Sequence, residues 1–149
     1  MLIETFKFLF KRDLLKLKQE IESYNDQSKL WYVEKGISNS AGNLCLHLIG
    51  NLNHFIGATL GSTGYVRNRE LEFSQKNVPA DELVKSISDT VAVVESTLNK
   101  LSDDILNEDF PLLYHDERVS TMLMLTHLLT HFGYHLGQIN YFRRLYDKN

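Results

Sequence analysis

Ile3, Phe6, Phe10, Leu14, Leu17, Ile21 and Tyr24 stand three or four residues apart along the start of the chain. No strand accommodates that spacing, because strand side chains alternate every second residue. The residues form one apolar stripe on a long helix, with Lys7, Lys11, Lys16, Lys18 and Glu22 off it. Such a stripe must be covered, so it demands further elements of matching length. The lysines are interspersed with acids and read as a solvated face rather than a membrane patch.

Two more segments repeat the pattern. A second helix is predicted from Ser40 to about Leu60, with Leu44, Leu48, Leu52 and Phe55 on its apolar side. Gly50, Gly57 and Gly61 are costly inside it, so they imply either close approach of a neighbour or fraying. Pro79, Asp81 and Glu82 suit the start of a third helix, whose stripe is Val84, Ile87, Val91, Val94, Leu98 and Leu101. Ser120 is the expected N-cap of a last helix running to about Tyr146, with Met124, Leu128, Phe132, Ile139 and Leu145 on or near its buried side. Between them lie connectors. The stretch NDQSKLWYVEKGISNS holds Trp31 and Tyr32, expected to pack over an end of the bundle. GSTGYVRNREL and SQKNV read as a polar loop, and SDDILNEDFPLLYHDERVS as one helical turn and a loop broken by Pro111. The expected architecture is all-α, a four-helix bundle forming one domain over residues 1–149.

Composition excludes several functions. A net charge of −3 gives no basic face for nucleic acid. No apolar run reaches the roughly 18 residues of a membrane span, and no signal-peptide pattern opens the chain. The single cysteine, Cys45, forbids an intramolecular disulfide and suits a reducing compartment. A cytoplasmic protein with no nucleic acid and no membrane partner is expected. Cys45 itself reads as a small buried hydrophobe.

The chemistry-bearing feature is the run MLTHLLTHFGYHLGQINYFRRL. It holds His127, His131 and His135, half of the six histidines in the chain. Residues four apart on a helix are neighbours, with Cβ atoms about 5–6 Å apart, the spacing at which two imidazoles close on one metal ion. His127 and His135 are separated by about 12 Å of rise and cannot share an ion bound at about 2.0–2.1 Å. Spacing therefore allows His127 with His131, or His131 with His135. A further ligand must come from elsewhere, and the second helix offers His47 or His54, about 10.5 Å apart along its axis. His115 sits in a polar loop and is expected at the surface. The competing account is that these are core histidines satisfied by hydrogen bonds.

The segments LCLHLIGNLNHFIGATLG and THLLTHFGYHLGQINYFRRL together resemble the DinB-like (damage-inducible) family, which is related to small-thiol S-transferases. The resemblance implies a bundle of up-down-down-up course. It also implies one metal ligand in an His-Leu step of the second helix and two more, four apart, before a Gly-Gln on the last. Those positions are His47, His131 and His135 here, with His54 and His127 outside the set. Many relatives carry Arg where this chain has Leu136, a difference at the mouth of the site. A divalent ion, zinc or nickel, and a homodimer follow from the same resemblance.

Three neutral imidazoles leave an ion's charge uncancelled and a coordination position open, which suits activation of water or of a thiol. The expected function is metal-dependent transfer of a small-molecule thiol to an electrophile, or hydrolysis. The alternative is a non-catalytic metal-binding or dimerisation module. Gln138 is placed to hydrogen-bond a ligand or a neighbouring helix, and Asn43 and Asn51 to orient His47 or bond within the core. Tyr134 and Tyr141 are expected in aromatic packing. Arg143, Arg144 and Lys148 complement the negative end of the last helix. The sequence identifies no carboxylate for the site and no general base.

Overall fold

A computed structural model describes residues 1–148. Among these residues the regular structure is helical, with no strand beyond isolated bridges pairing Asp109 with Ser120 and Tyr114 with Glu117. Helix α1 spans Leu2–Glu22 and buries the stripe expected of it, from Ile3 to Ile21. Its first turn is capped from afar, because the Asp103 carboxylate accepts from the backbone N–H of Leu2 at 2.9 Å and of Ile3 at 3.0 Å. Helix α2 spans Ala41–Leu52. The Ser40 hydroxyl accepts from Asn43 N–H at its start. It continues through a π-helical stretch, Asn53–Ala58, and a last turn, Thr59–Gly61. Left-handed Ser62 then ends it.

The segment read as a polar loop contains a further helix, α3, over Arg69–Ser74. Its N-cap is Asn68, whose side chain accepts from Leu71 N–H, and Glu72 is its one buried residue. It gave no apolar periodicity because it is held by polar contacts. The Asn43 amide donates to the carbonyls of Glu72 at 2.9 Å and Gln75 at 2.8 Å, pinning α3 across α2.

Helix α4 spans Ala80–Leu98 and α5 spans Thr121–Tyr146. Ser120 caps α5 as expected, accepting from Leu123 N–H. Two stripes differ from expectation. On α4 the buried side is Leu83, Ile87, Thr90, Val94, Thr97 and Leu98, so Val84 and Val91 lie at its margin. On α5 the stripe ends on Ile139 and Phe142, while Leu145 is exposed. Leu145 sits about 60° round the axis from Phe142, enough to turn it off the packed side.

Contacts fix the directions of the long helices. Glu20 meets Asn140 and Arg143, and the Asp147 carboxylate accepts from the backbone N–H of Asn25 and Asp26, so numbers rise together along α1 and α5. Lys11 meets Glu95 and Gln27 meets Ala80, so α1 and α4 run oppositely. Asn53 donates to Thr90, and a Cβ added to Gly61 would lie 2.3 Å from Thr97 Oγ1, so α2 and α4 run together. The expected close approach at glycines is thus present. At Gly42 the neighbour is the Trp31 ring, which packs over the start of α2. No described helix is long and apolar enough to cross a membrane.

Candidate metal centre

Helix α2 presents His47 and helix α5 presents His131 and His135 to the same space. Each of these three residues offers a ring nitrogen, and the three nitrogens all lie within 4.8 Å of one another. His47 Nε2 faces His131 Nε2 at 3.1 Å. Two imidazole nitrogens bound tetrahedrally to one zinc lie about 3.3 Å apart, given bonds of about 2.0–2.1 Å. The pair is already at that separation.

The tautomers follow from the outer partners. His47 Nδ1 is 2.9 Å from Glu72 Oε1, so it carries the proton and donates it to the carboxylate. His135 Nδ1 donates to Gln138 Oε1 at 2.7 Å. Both rings are left with a lone pair on Nε2. This is the arrangement in which metal-bound histidines are held, the far nitrogen donating to a carboxylate or carbonyl oxygen. With His47 Nε2 an acceptor, the proton between the facing nitrogens belongs to His131 Nε2. His131 Nδ1 is then buried without a partner. A cation among the three nitrogens would take the Nε2 lone pairs of His47 and His135 and, with the His131 proton moved to its unpartnered Nδ1, that of His131, so the residues fit a metal.

Glu72 is the residue that sequence reasoning did not find. Its carboxylate is buried and doubly held by Arg67, with Nε to Oε2 at 2.8 Å and Nη2 to Oε1 at 2.9 Å. Arg67 Nη2 also lies 3.4 Å from His47 Nδ1, but both atoms carry protons, so this is proximity and not a bond. Gly50 makes room for the carboxylate: a Cβ there would stand 2.0 Å from Glu72 Oε2. The signal available in the sequence was that glycine, inside a helix and one turn from His47.

The electrostatics favour the neutral form of His47 and His131. Desolvation pushes His131 down to about 4, and the positive forms of His135, His47 and His127 and the charge of Arg67 push the same way. Desolvation also lowers His47, although Glu72 opposes it. At 2.9 Å, His47 and Glu72 have the geometry of an ion pair, but burial and the competing Arg67 favour a neutral imidazole donating to a carboxylate. Neutral imidazoles are the form that binds metal.

The other candidates fall outside the cluster. His54 is half-buried against Phe55. His127 lies beside Tyr114, whose hydroxyl is 3.4 Å from its Nδ1, with its ring centroid 5.9 Å from that of His131. His115 is exposed, as expected. Asn43 does not orient His47, since its amide is committed to the backbone of α3. Asn51 is buried with Oδ1 unpartnered and makes no hydrogen bond to His47. Gln138 does bond a histidine of the cluster, one of the two expectations for it. Tyr134 and Tyr141 are exposed rather than packed in the core, and Tyr134 lies edge-on to His135. Arg143 pairs with Glu20 across α1 and α5 in addition to closing the helix. Cys45 is fully buried, and desolvation pushes its thiol up to about 12, as suits an inert hydrophobe.

A cleft of about 360 Å³ adjoins the cluster, with Ile37, Ser38 and Asn39 on one wall and Tyr134, His135 and Gln138 on the other. Another of about 460 Å³ lies around Gly133 and Gly137, between α5 and α1. Those glycines are about 200° round α5 from His131 and His135, so that cleft opens away from the imidazoles.

An all-helical protein with a three-histidine cluster between two of its long helices is the class these features define. Over residues 3–149 the chain matches the family described as Protein of unknown function (DUF1572), and it belongs to that family. No curated protein matches it.

Proposed function

We propose that this chain is a DinB-like protein holding a divalent ion, zinc or nickel, through His47, His131 and His135, and that it transfers a small-molecule thiol to an electrophile. The observation carrying this reading is the convergence of three imidazole nitrogens, two of them on rings whose far nitrogen is fixed by a hydrogen bond. When bound, such an ion supplies Lewis acidity, lowering the pKa of a thiol or water that reaches its open position.

The protein's own groups favour the thiol over water. Hydrolysis calls for a base to take a proton from water. The carboxylate closest to hand, Glu72, has Oε1 on His47 and both oxygens on Arg67. It is committed to holding an imidazole and is not free to accept a substrate proton. A thiol, with an ordinary pKa near 8.5, needs far less help to ionise than water does. The cleft beside His135 supports the same reading, since it offers a non-reacting part of a substrate a place against Tyr134 and Gln138.

The up-down-down-up course belongs to this proposal, and the paired contacts along α1 with α5, α1 with α4, and α2 with α4 support it. So do a homodimer, on the family resemblance, and a cytoplasmic setting, which the lone buried thiol of Cys45 favours. The second reading is a metal-binding module without turnover.

Metal analysis of protein purified without a histidine tag tests the site. About one ion per chain is expected, and His131→Ala, which removes the imidazole adjoining both others, is expected to lose it. Full stoichiometry in that variant refutes the assignment. Turnover of small thiols against epoxide and halide electrophiles, abolished by chelator, separates the enzyme from the module. Chelator-insensitive or absent turnover favours the module.

A further inference from the structure

We infer that Glu72 and Arg67, carried on the segment that crosses α2, are positioning residues with opposed effects on the ion: Glu72 strengthens the grip of His47 and Arg67 moderates it. For affinity the inference rests on the metal reading above. For the state of His47 it stands on the hydrogen bonds alone.

The geometry is that of a three-member chain. Arg67 holds Glu72 through both carboxylate oxygens, at 2.8 and 2.9 Å. Glu72 Oε1 in turn accepts the Nδ1 proton of His47 at 2.9 Å. The Arg67 and Glu72 side chains are 12% and 6% exposed, so the pair is largely withdrawn from solvent. Fixing the proton on Nδ1 forces the lone pair onto Nε2, the atom that faces His131. A carboxylate at the far nitrogen also makes the imidazole a stronger donor to a cation. Arg67 acts in the other direction. It withdraws charge from the same carboxylate, and it places a positive charge 3.4 Å from the His47 ring. An ion pair that only braced the fold would need no third partner. Here the shared oxygen, Oε1, is bonded to a ligand.

Two backbone features support the placement. Gly50 leaves the space that the carboxylate fills, and the Asn43 amide pins the carbonyls of Glu72 and Gln75 to α2. The carboxylate is thus set by the seating of a short segment and not by the long helices.

The test uses the full chain and two readouts. The first is the tautomer of His47 in chelator-treated protein, from long-range ¹⁵N–¹H correlation spectra. The Nδ1–H form is expected in the wild type and in Glu72→Gln, whose amide oxygen still accepts. It is expected to lose its dominance in Glu72→Leu. The second is affinity for zinc or nickel, by competition with a chromophoric chelator. Outer partners of this kind are worth about 10- to 100-fold in affinity. Glu72→Gln is expected to bind about tenfold more weakly and Glu72→Leu about 100-fold. Arg67→Met is expected to bind no more weakly than wild type, and roughly 3- to 10-fold more tightly, while melting at lower temperature.

A merely structural pair would shift affinity in the same direction on loss of either member, and that result overturns the inference. So does an unchanged His47 tautomer in folded Glu72→Leu. Circular dichroism reports whether that variant folds, and the near-isosteric Glu72→Gln keeps the affinity arm decisive if it does not. If wild-type protein takes up neither metal, the reading of the triad fails, while the tautomer arm still decides the role of Glu72.

Discussion

Gly50→Ala is expected to destabilise this protein, although the same change at an ordinary helical glycine stabilises. Alanine in a helix interior is better than glycine by about 0.5–1 kcal/mol. At Gly50 the new Cβ would stand 2.0 Å from Glu72 Oε2 and 2.6 Å from Cδ. A carboxylate is the end of a flexible side chain, so the clash by itself is easily relieved. What cannot be kept is its set of bonds, because moving it breaks the pairing with Arg67 and the acceptance from His47. Breaking a buried ion pair costs about 3–5 kcal/mol. Less the helix gain, the net loss is about 2–4 kcal/mol, or about 5–12 °C in melting temperature for a chain of this size. Urea denaturation of chelator-treated protein measures it, with Gly133→Ala and Gly137→Ala as controls, since nothing lies within 4 Å of a Cβ at either. The controls are expected to gain about 0.5–1 kcal/mol. In a Glu72→Ala background, Gly50→Ala is expected to become stabilising too, because its obstacle is gone. A Gly50→Ala protein as stable as the controls, or a cost unchanged in that background, refutes the argument.

Two other outcomes follow from burial. The folded state holds His131 neutral down to about 4 against an ordinary 6.5, so between those values only the unfolded chain takes the proton. Stability of metal-free protein is therefore fully present above about pH 6.5 and falls toward pH 4, by about 1–2 kcal/mol once the ring's partial exposure is discounted; a His131→Gln variant with an unchanged pH slope would contradict this. The Cys45 thiol, pushed up to about 12, is expected to resist thiol reagents at pH 8 in the folded protein and to react on unfolding. Stoichiometric labelling of folded protein would show that burial to be wrong.

The long helices were legible because they depend on local rules. The α1 stripe, the start of α2 near Ser40, the Ser120 cap and the acidic start of α4 follow from spacing and from unsatisfied N–H groups. The glycines of α2 announced close neighbours without saying which. At Gly42 it is an indole, at Gly50 a carboxylate and at Gly61 a threonine. The misplaced residues are those whose partners are distant in sequence. Asn43 sits one turn from His47, so a local reading directs it there, but its amide serves carbonyls 29 and 32 residues away. Glu72 and Arg67 lie in a polar stretch where burial leaves no periodic trace, since one side chain of a short helix is all that α3 buries.

That difference has a mechanical side. The imidazoles stand on α2 and on α5, a helix of 26 residues, both locked into the core by Leu48, Leu52, Leu128 and Phe132. Their spacing is therefore hard to change without repacking the bundle. The groups that act on His47 stand on a short segment seated by a few hydrogen bonds and one space beside Gly50. Substitutions there leave the ligand positions intact and alter how strongly one imidazole donates. A site divided in this way can be retuned from the crossing segment, because the core sets where the ligands stand while the charges held behind His47 set how strongly it donates.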